Sequence, residues 1–182
     1  YLGKGLIVVL TGQRRVGKSC ILQSVSSRIK KENEDANTIY INKEYAEFRG
    51  INTDMELNRY VDNLLQKDKK NFLFIDEVQD IQGFENSLRN YQAKQTCDII
   101  ITGSNATMLS GELATYLGGR YVEFVIYPFS FPEFMELYRS ITPNDSIQQC
   151  FQKYLLAGGM PYLANLRYAD EPSRQYLHDL FN

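Results

Sequence analysis

A short segment between an apolar run and a helical pattern constrains this chain more than any other feature. Residues 12–19 read Gly-Gln-Arg-Arg-Val-Gly-Lys-Ser and follow directly on the apolar run 6–10. This is G-x-x-x-x-G-K-S in the strand–loop–helix context that a phosphate-binding loop requires. The glycines let backbone N–H groups turn towards phosphate oxygens, and the following helix adds the partial positive charge of its N-terminus. The sequence therefore predicts a site for a nucleoside triphosphate.

The predicted triphosphate site extends from the loop into the first helical turn. Lys18 supplies a mobile positive charge for the terminal phosphates, and the Ser19 hydroxyl is a hard oxygen ligand suited to Mg²⁺. The other nucleotide contacts expected in this segment come from Gly12, Arg15, Val16, Gly17 and Cys20. We therefore expect ATP and Mg²⁺ as cofactors; the sequence lacks the Asn-Lys-x-Asp pattern that reads guanine.

A second feature is an apolar run that ends in two carboxylates. Residues 71–77 read Asn-Phe-Leu-Phe-Ile-Asp-Glu, which is typical of a buried strand in a parallel sheet. Ligands of such sheets bind at the carboxyl ends of the strands. We expect Asp76 to hold Mg²⁺ through water and Glu77 to polarise a water for attack on the γ-phosphate. The alternative is a charged strand exit. Glu77 favours hydrolysis over transfer to a small molecule, since kinases of this loop class usually lack it.

Composition sets the remaining bounds. The chain has 182 residues, 43% of them hydrophobic and 23% charged, which suits one globular domain or one domain and part of a second. A net charge of −2 gives no reason to expect strong non-specific nucleic-acid binding. Three scattered cysteines predict neither a disulfide framework nor a metal site; Cys20 and Cys97 are expected to be small buried residues in a reducing cytosol.

Apolar segments at 6–10, 38–41, 72–75, 98–102 and 121–126 alternate with helical patterns at 18–30, 53–67, 81–94 and 106–116. This alternation predicts an α/β fold with a parallel sheet. Helical patterns alone follow, at 131–138, 147–157, 161–166 and 172–181. We expect a P-loop NTPase three-layer sandwich of strand order 5-1-4-3-2, followed by a partial helical lid.

The clearest linker pattern is Thr-Pro-Asn-Asp at 142–145. It divides the chain into a predicted nucleotide-binding domain at 1–141 and the start of a lid at 146–182. Because the chain begins without methionine and stops within a helical pattern, we expect it to be a fragment of a longer protein. There is no stretch of 18 apolar residues and no visible signal peptide, so we expect no membrane partner and a cytoplasmic location.

Three further polar positions are candidates for the site. Ser104 and Asn105 follow the fourth strand, where they either lie near the attacking water or cap the next helix. Arg120 follows two glycines at the fifth strand; it either reaches a neighbouring subunit's γ-phosphate or caps carbonyls at the strand start. Asn42, at the end of the second strand, is expected to hold Glu77 in an inactive rotamer.

The ordered set Gly-x-Arg-Arg-Val-Gly-Lys-Ser, Phe-Ile-Asp-Glu-Val-Gln-Asp, Ile-Thr-Gly-Ser-Asn, Gly-Gly-Arg and Tyr-Pro-Phe-Ser-Phe-x-Glu-Phe resembles a family of prokaryotic AAA+/STAND-like ATPases. Many members carry a C-terminal nuclease-like domain of unknown role. The resemblance implies ATP hydrolysis that moves a helical lid, a possible homo-oligomer and a client, protein or DNA, that is not known. It also implies that Pro161, in Gly159-Met160-Pro161, approaches the adenine.

Two hypotheses stand at this point. The first is a Mg²⁺-dependent ATPase in which the nucleotide state changes the position of the lid. The second is a nucleotide-dependent signalling switch or binding module with little turnover. Measured turnover of the protein, with and without partners, separates the two.

Overall fold

The computed structural model describes residues 1–104 and 117–181. Asn105 and the helix predicted at 106–116 lie outside the described residues. The described chain divides into two compact units, one formed by residues 1–13 and 18–126 and the other by 14–17 and 127–182.

The first unit is built on five parallel strands: β1 (Ile7–Thr11), β2 (Ala36–Asn42), β3 (Lys70–Asp76), β4 (Asp98–Thr102) and β5 (Tyr121–Val125). Their order is β2-β3-β4-β1-β5. This is the predicted order 5-1-4-3-2 read from the other edge, so the prediction is confirmed. The loop of residues 12–19, here called the glycine loop, follows β1. The strand that ends in Asp76 and the strand that enters the glycine loop are therefore separated by β4 alone.

The described α-helices of the first unit are α1 (Lys18–Glu32), α2 (Asp54–Asp62) and α3 (Phe84–Lys94). Alternate residues of β3 face different helices. Leu73 and Ile75 pack in one cluster with residues of α2 and α3, and Phe72 and Phe74 pack in another with residues of α1. Because both faces of β3, an interior strand, are covered, the unit is the three-layer sandwich expected of a parallel sheet.

The second unit contains α4 (Phe131–Ile141), α5 (Ile147–Ala157), α6 (Asp170–Phe181) and the 3₁₀ helix Pro161–Ala164. Its core is aromatic: the ring centroid of Phe134 lies 5.1 Å from those of Tyr154 and Tyr168. Compactness thus groups α4 with the later helices, and the second unit begins at Tyr127. The sequence-based boundary at 142–145 falls at the turn between α4 and α5.

Capping explains where several helices begin. α2, α4 and α5 each start with a capping box, in which a Ser or Thr and a Glu or Gln three residues later satisfy each other's backbone N–H groups. None of the helices within 1–104 and 117–181 is long and apolar enough to cross a membrane. The structure corrects one expectation, because Cys20 is exposed and Cys97 is half-buried.

Candidate functional site

The glycine loop has a backbone that demands its glycines. Gly12 has φ +134°, and a Cβ there would lie 2.2 Å from the carbonyl oxygen of Ile126. That oxygen's segment is fixed beside the loop, since the Ile126 N–H donates to the Thr11 carbonyl at 2.8 Å. Gly17 has φ +102°. Arg15 is also left-handed, with φ +66°, a conformation that costs a non-glycine residue about 1–2 kcal/mol. The loop is therefore curled as a phosphate cradle requires.

Lys18 begins α1 and is buried. Its Nζ donates to the carbonyl oxygens of Gly12 and Gln13, each at 2.9 Å. The ammonium group thus lies against the inner edge of the loop, where a bound phosphate would compete for it. Ser19 is half-buried in the same first turn, whereas Cys20 points its side chain towards solvent.

Asp76 lies at the carboxyl end of β3 and is 1% exposed. Its Oδ2 accepts a hydrogen bond of 3.1 Å from the Asn42 side-chain amide, and its Oδ1 accepts one from the Thr102 hydroxyl. These partners come from β2 and β4, so three adjacent strand ends fix one carboxylate. Each oxygen keeps a lone pair, and carboxylate oxygens, like the Ser19 hydroxyl in the first turn of α1, are the hard oxygen ligands that Mg²⁺ prefers. The residues present fit a magnesium ion held through water.

Two titratable residues of the β2 region lie beside Asp76, Tyr40 through its side chain and Lys43 through its backbone. Burial raises the pKa of Tyr40, and the charge of Asp76 raises it further. Burial lowers the pKa of Lys43, whose Nζ donates to the Phe48 carbonyl at 2.9 Å. The Lys43 backbone N–H donates to the Asp76 carbonyl at 3.3 Å. Tyr40 therefore stays a neutral phenol at ordinary pH, and Lys43 is engaged in holding its own loop.

Glu77 leaves the strand in the left-handed region, with φ +55° and ψ +56°. Its backbone N–H donates to the Thr102 hydroxyl at 3.0 Å, and its carboxylate accepts a hydrogen bond from the Gln79 side-chain amide. The prediction that Asn42 holds Glu77 is corrected here: the Asn42 amide donates to Asp76, and Gln79 contacts the Glu77 carboxylate.

Thr102 is the residue that sequence reasoning missed. It ends β4, is fully buried, and its hydroxyl contacts both Asp76 and the backbone of Glu77. The available signal was a single polar residue at the end of the apolar run Ile99-Ile100-Ile101, on the strand expected to lie next to Asp76.

Ser104 and Arg120 lie at different ends of the sheet. The Gly103 N–H donates to the Leu10 carbonyl at 3.3 Å, which keeps the segment leading to Ser104 beside the strand that enters the loop. Arg120 is exposed, and its carbonyl accepts from the Ile7 N–H at 3.1 Å. Because Ile7 starts β1, Arg120 is at the amino ends of the strands, away from Glu77.

The remaining predicted nucleotide contacts fall in the second unit. Val16 is buried, and the Arg15 guanidinium lies 5.4 Å from the ring centroid of Tyr176. Pro161 starts the 3₁₀ helix, preceded by Gly159, whose carbonyl accepts from the Phe129 N–H at 2.8 Å. The adenine contact of Pro161 stays a prediction.

Solved structures resemble this fold at low sequence identity. The FIGL-1 AAA domain in complex with ADP matches with a TM-score of 0.61 and 14% identity, over 98% of this chain and 64% of that one. AMPPCP-bound DnaA from Aquifex aeolicus matches with a TM-score of 0.52 and 17% identity, over 98% of this chain and 62% of that one. At these identities the likeness concerns the fold.

Sequence relatives are closer. A Haemophilus influenzae protein described as uncharacterized is 33% identical over 171 residues, which cover 93% of this chain and 42% of the relative. A second such protein, from Methanocaldococcus jannaschii, is 30% identical over 96% of this chain and 41% of its own length. The chain thus spans about two fifths of these relatives. The model of the AAA domain family matches residues 4–135, over most of the first unit. The chain belongs to the AAA domain family of P-loop ATPases.

Proposed function

We propose that this protein binds ATP and hydrolyses it in a Mg²⁺-dependent reaction. The observation that carries the proposal is that the glycine loop and the two carboxylates both lie at the carboxyl ends of the parallel strands. The loop that follows β1 presents Lys18, and the end of β3 presents Asp76 and Glu77, with β4 between them. Positive charge for the phosphates and carboxylates for metal and water thus lie at the carboxyl ends of two strands that are one strand apart in the sheet.

Each residue has a distinct role in the proposed reaction. The backbone N–H groups of the loop bind phosphate oxygens, and the Lys18 ammonium transfers from its loop carbonyls to the terminal phosphates. Asp76 and Ser19 hold the magnesium ion, which supplies charge neutralisation on the phosphate oxygens when bound. Glu77 leaves its Gln79 contact and accepts the proton of the attacking water. Ser104 is proposed to contact that water or the γ-phosphate.

The proposal extends to the helical segment, the base of the nucleotide, the client and the location. Hydrolysis is proposed to move the helical segment 146–182 relative to the nucleotide, and Pro161 is proposed to contact the adenine. ADP and AMPPCP are bound by two of the similar AAA structures, which favours an adenine nucleotide here. A similar structure, the ORC1 protein of Aeropyrum pernix, is in complex with DNA, so DNA is one candidate client beside protein. We expect the reaction in the cytoplasm.

The decisive experiment compares Lys18→Ala with the wild-type protein. Calorimetry with Mg²⁺-ATP should show an affinity at least tenfold weaker, about 1.4 kcal/mol, because the main phosphate countercharge is lost. Release of inorganic phosphate should fall to background. Lys30→Ala, an exposed lysine at the other end of the same helix, is the matched control and should behave as wild type. Unchanged affinity in Lys18→Ala would exclude the loop as the nucleotide site.

The alternative is a nucleotide-dependent switch with little turnover. The Glu77 carboxylate is held by Gln79 in this structure, an arrangement compatible with a slow enzyme that waits for a partner. Tight Mg²⁺-ATP binding together with phosphate release no faster than that of Lys18→Ala would favour the switch. Labelled phosphate appearing on a metabolite instead of in water would favour a kinase.

A further inference from the structure

One buried hydroxyl joins the two carboxylate residues of the candidate site. The Thr102 Oγ1 donates its single hydrogen to Asp76 Oδ1 and accepts the backbone N–H of Glu77 at 3.0 Å. A backbone N–H only donates and a carboxylate only accepts, so the Thr102 hydroxyl gives its single hydrogen to Asp76 and accepts from Glu77. Thr102 and Asp76 are 0% and 1% exposed, so water does not replace either contact.

The contact between Thr102 and Glu77 lies just beyond the point where the pairing of β3 with β4 ends. The pairing of β3 with β4 ends at Ile75 opposite Ile101, and Glu77 turns into the left-handed region two residues later. Left-handed backbone is unfavourable for glutamate and persists when the surroundings impose it. The hydroxyl of Thr102 is the group that receives the Glu77 N–H in this turn.

We propose that Thr102 is a positioning residue that fixes the catalytic Glu77 relative to the metal-holding Asp76. This inference rests on the proposed ATPase function and adds to it a residue that touches neither nucleotide nor water. The Thr102 hydroxyl links the Asp76 carboxylate, which is proposed to hold magnesium, to the backbone of Glu77, which is proposed to act as the base. Loss of the hydroxyl should leave Mg²⁺-ATP binding intact and misplace the Glu77 carboxylate, so that kcat falls while KM is unchanged.

The test uses three substitutions at Thr102 in the intact protein. Thr102→Val keeps the shape and removes the hydroxyl, and Thr102→Ala removes it without a new methyl group. Both should lower kcat by about 10–100-fold, the usual cost of losing an outer hydrogen-bond partner. Thr102→Ser keeps the hydroxyl and should retain most of the activity. The matched control is Thr38→Val on β2. The buried Thr38 hydroxyl has no hydrogen-bond partner among residues 1–104 and 117–181, so this change should leave kcat unchanged.

A double-mutant cycle separates positioning from a general structural effect. If Thr102 acts through Glu77, then Glu77→Gln combined with Thr102→Val should be no slower than Glu77→Gln alone. Multiplying losses would overturn the proposal, as would a serine variant as slow as valine or a loss confined to KM. If neither hydroxyl-free variant folds, as judged by thermal melting, the hydroxyl serves stability and the proposal is overturned.

The same measurements keep this inference apart from the proposed function. Wild-type phosphate release no faster than that of Lys18→Ala overturns the ATPase function and this inference with it. An active wild type with independent effects at Thr102 and Glu77 overturns the positioning role alone.

Discussion

At the scale of single residues, two neighbouring carboxylates have contrasting surroundings. Asp76 is buried and accepts hydrogen bonds from two adjacent strands, whereas Glu77 is half-buried and leaves the strand through a left-handed turn. A group fixed from two sides suits a metal ion that needs defined geometry. A group with one side-chain partner suits a base that must turn towards a water.

The contrast leads to a prediction for Glu77→Gln. The amide keeps the shape and the contact with Gln79 but cannot take a proton, so ATP binding should persist while turnover falls by about 10²–10⁴-fold. Binding is measured by calorimetry and turnover by phosphate release. Glu34→Gln, at an exposed position between α1 and β2, is the control and should be as active as wild type. Near-normal turnover in Glu77→Gln would assign the base to another group.

Motifs along the chain point to some candidate residues, and contacts through space point to others. Lys18, Ser19 and the Asp76-Glu77 pair could be proposed from the sequence because the spacing of their motifs is typical of phosphate and metal sites. Thr102 was not, because its role depends on strand adjacency and on the direction of one hydroxyl. The Asn42 partner was wrong for a similar reason: the left-handed turn at Glu77 could not be read from the sequence.

At the scale of elements, the strand order was predictable, as were the ends of α3, α5 and α6 at Lys94, Ala157 and Phe181, whereas the end of α2 was not. The helix expected at 53–67 ends at Asp62. The following backbone is held by side chains from the sheet: Asn37 donates to the Leu64 carbonyl at 2.8 Å, and Asn71 contacts both the N–H and the carbonyl of Gln66. These contacts depend on the tertiary fold, which overrides the helical pattern.

The capping boxes give a prediction about pH. The Glu56 carboxylate accepts hydrogen bonds from the Asn52 backbone and from the N-cap residue Thr53, and the Glu133 carboxylate accepts them from the N-cap residue Ser130. These bonds hold both pKa values below the ordinary 4.5. A pKa lowered by folding contributes stability above the unfolded value, and the contribution is lost as pH falls through the folded value. NMR titration should give midpoints below 4.5 for both carboxyls.

The same titration can also contradict the capping boxes. Midpoints at or above the ordinary value would show that the boxes do not persist in solution. Thr53→Ala is the matched variant: it removes the side chain that contacts Glu56 and should move that midpoint towards 4.5 while the Glu133 midpoint is unchanged.

At the scale of the whole molecule, the packing of the helices and the turn-forming residues of the sequence divide the chain at different places. The turn at 142–145 has the composition of a linker, yet its Asp145 accepts a hydrogen bond of 2.9 Å from the Tyr138 hydroxyl of α4. The Phe134 ring lies 5.1 Å from that of Tyr154, which ties α4 to α5. Polar turn residues mark a chain reversal, and only the aromatic contacts show which helices share a core.

A prediction at this scale concerns Arg120 and the assembly of subunits. Arg120 lies at the amino ends of the strands, away from its own Glu77, so any action on a γ-phosphate would be on a neighbouring subunit's. Hydrolysis per subunit of the intact protein should therefore rise with protein concentration. Arg120→Ala should flatten that rise and leave ATP affinity unchanged, because the charge it meets develops in the transition state.

Mixing variants tests the same point. Arg120→Ala and Glu77→Gln should together recover part of the activity, since a neighbour's intact Arg120 can serve an intact Glu77. Arg49→Ala, another exposed arginine, should keep the wild-type concentration dependence. A mixture that stays inactive, with specific activity independent of concentration, would make Arg120 a structural residue.

The contact of the Lys18 ammonium with two loop carbonyls has a kinetic consequence. The Lys18 ammonium connects the end of the loop to the carbonyls at its start. Much of the conformational entropy of the loop is therefore lost when the chain folds, before any nucleotide binds. The nucleotide then meets a preorganised receptor and displaces an internal competitor. Its association rate should follow encounter and charge, while its residence time reflects how well phosphate outcompetes the carbonyls of Gly12 and Gln13.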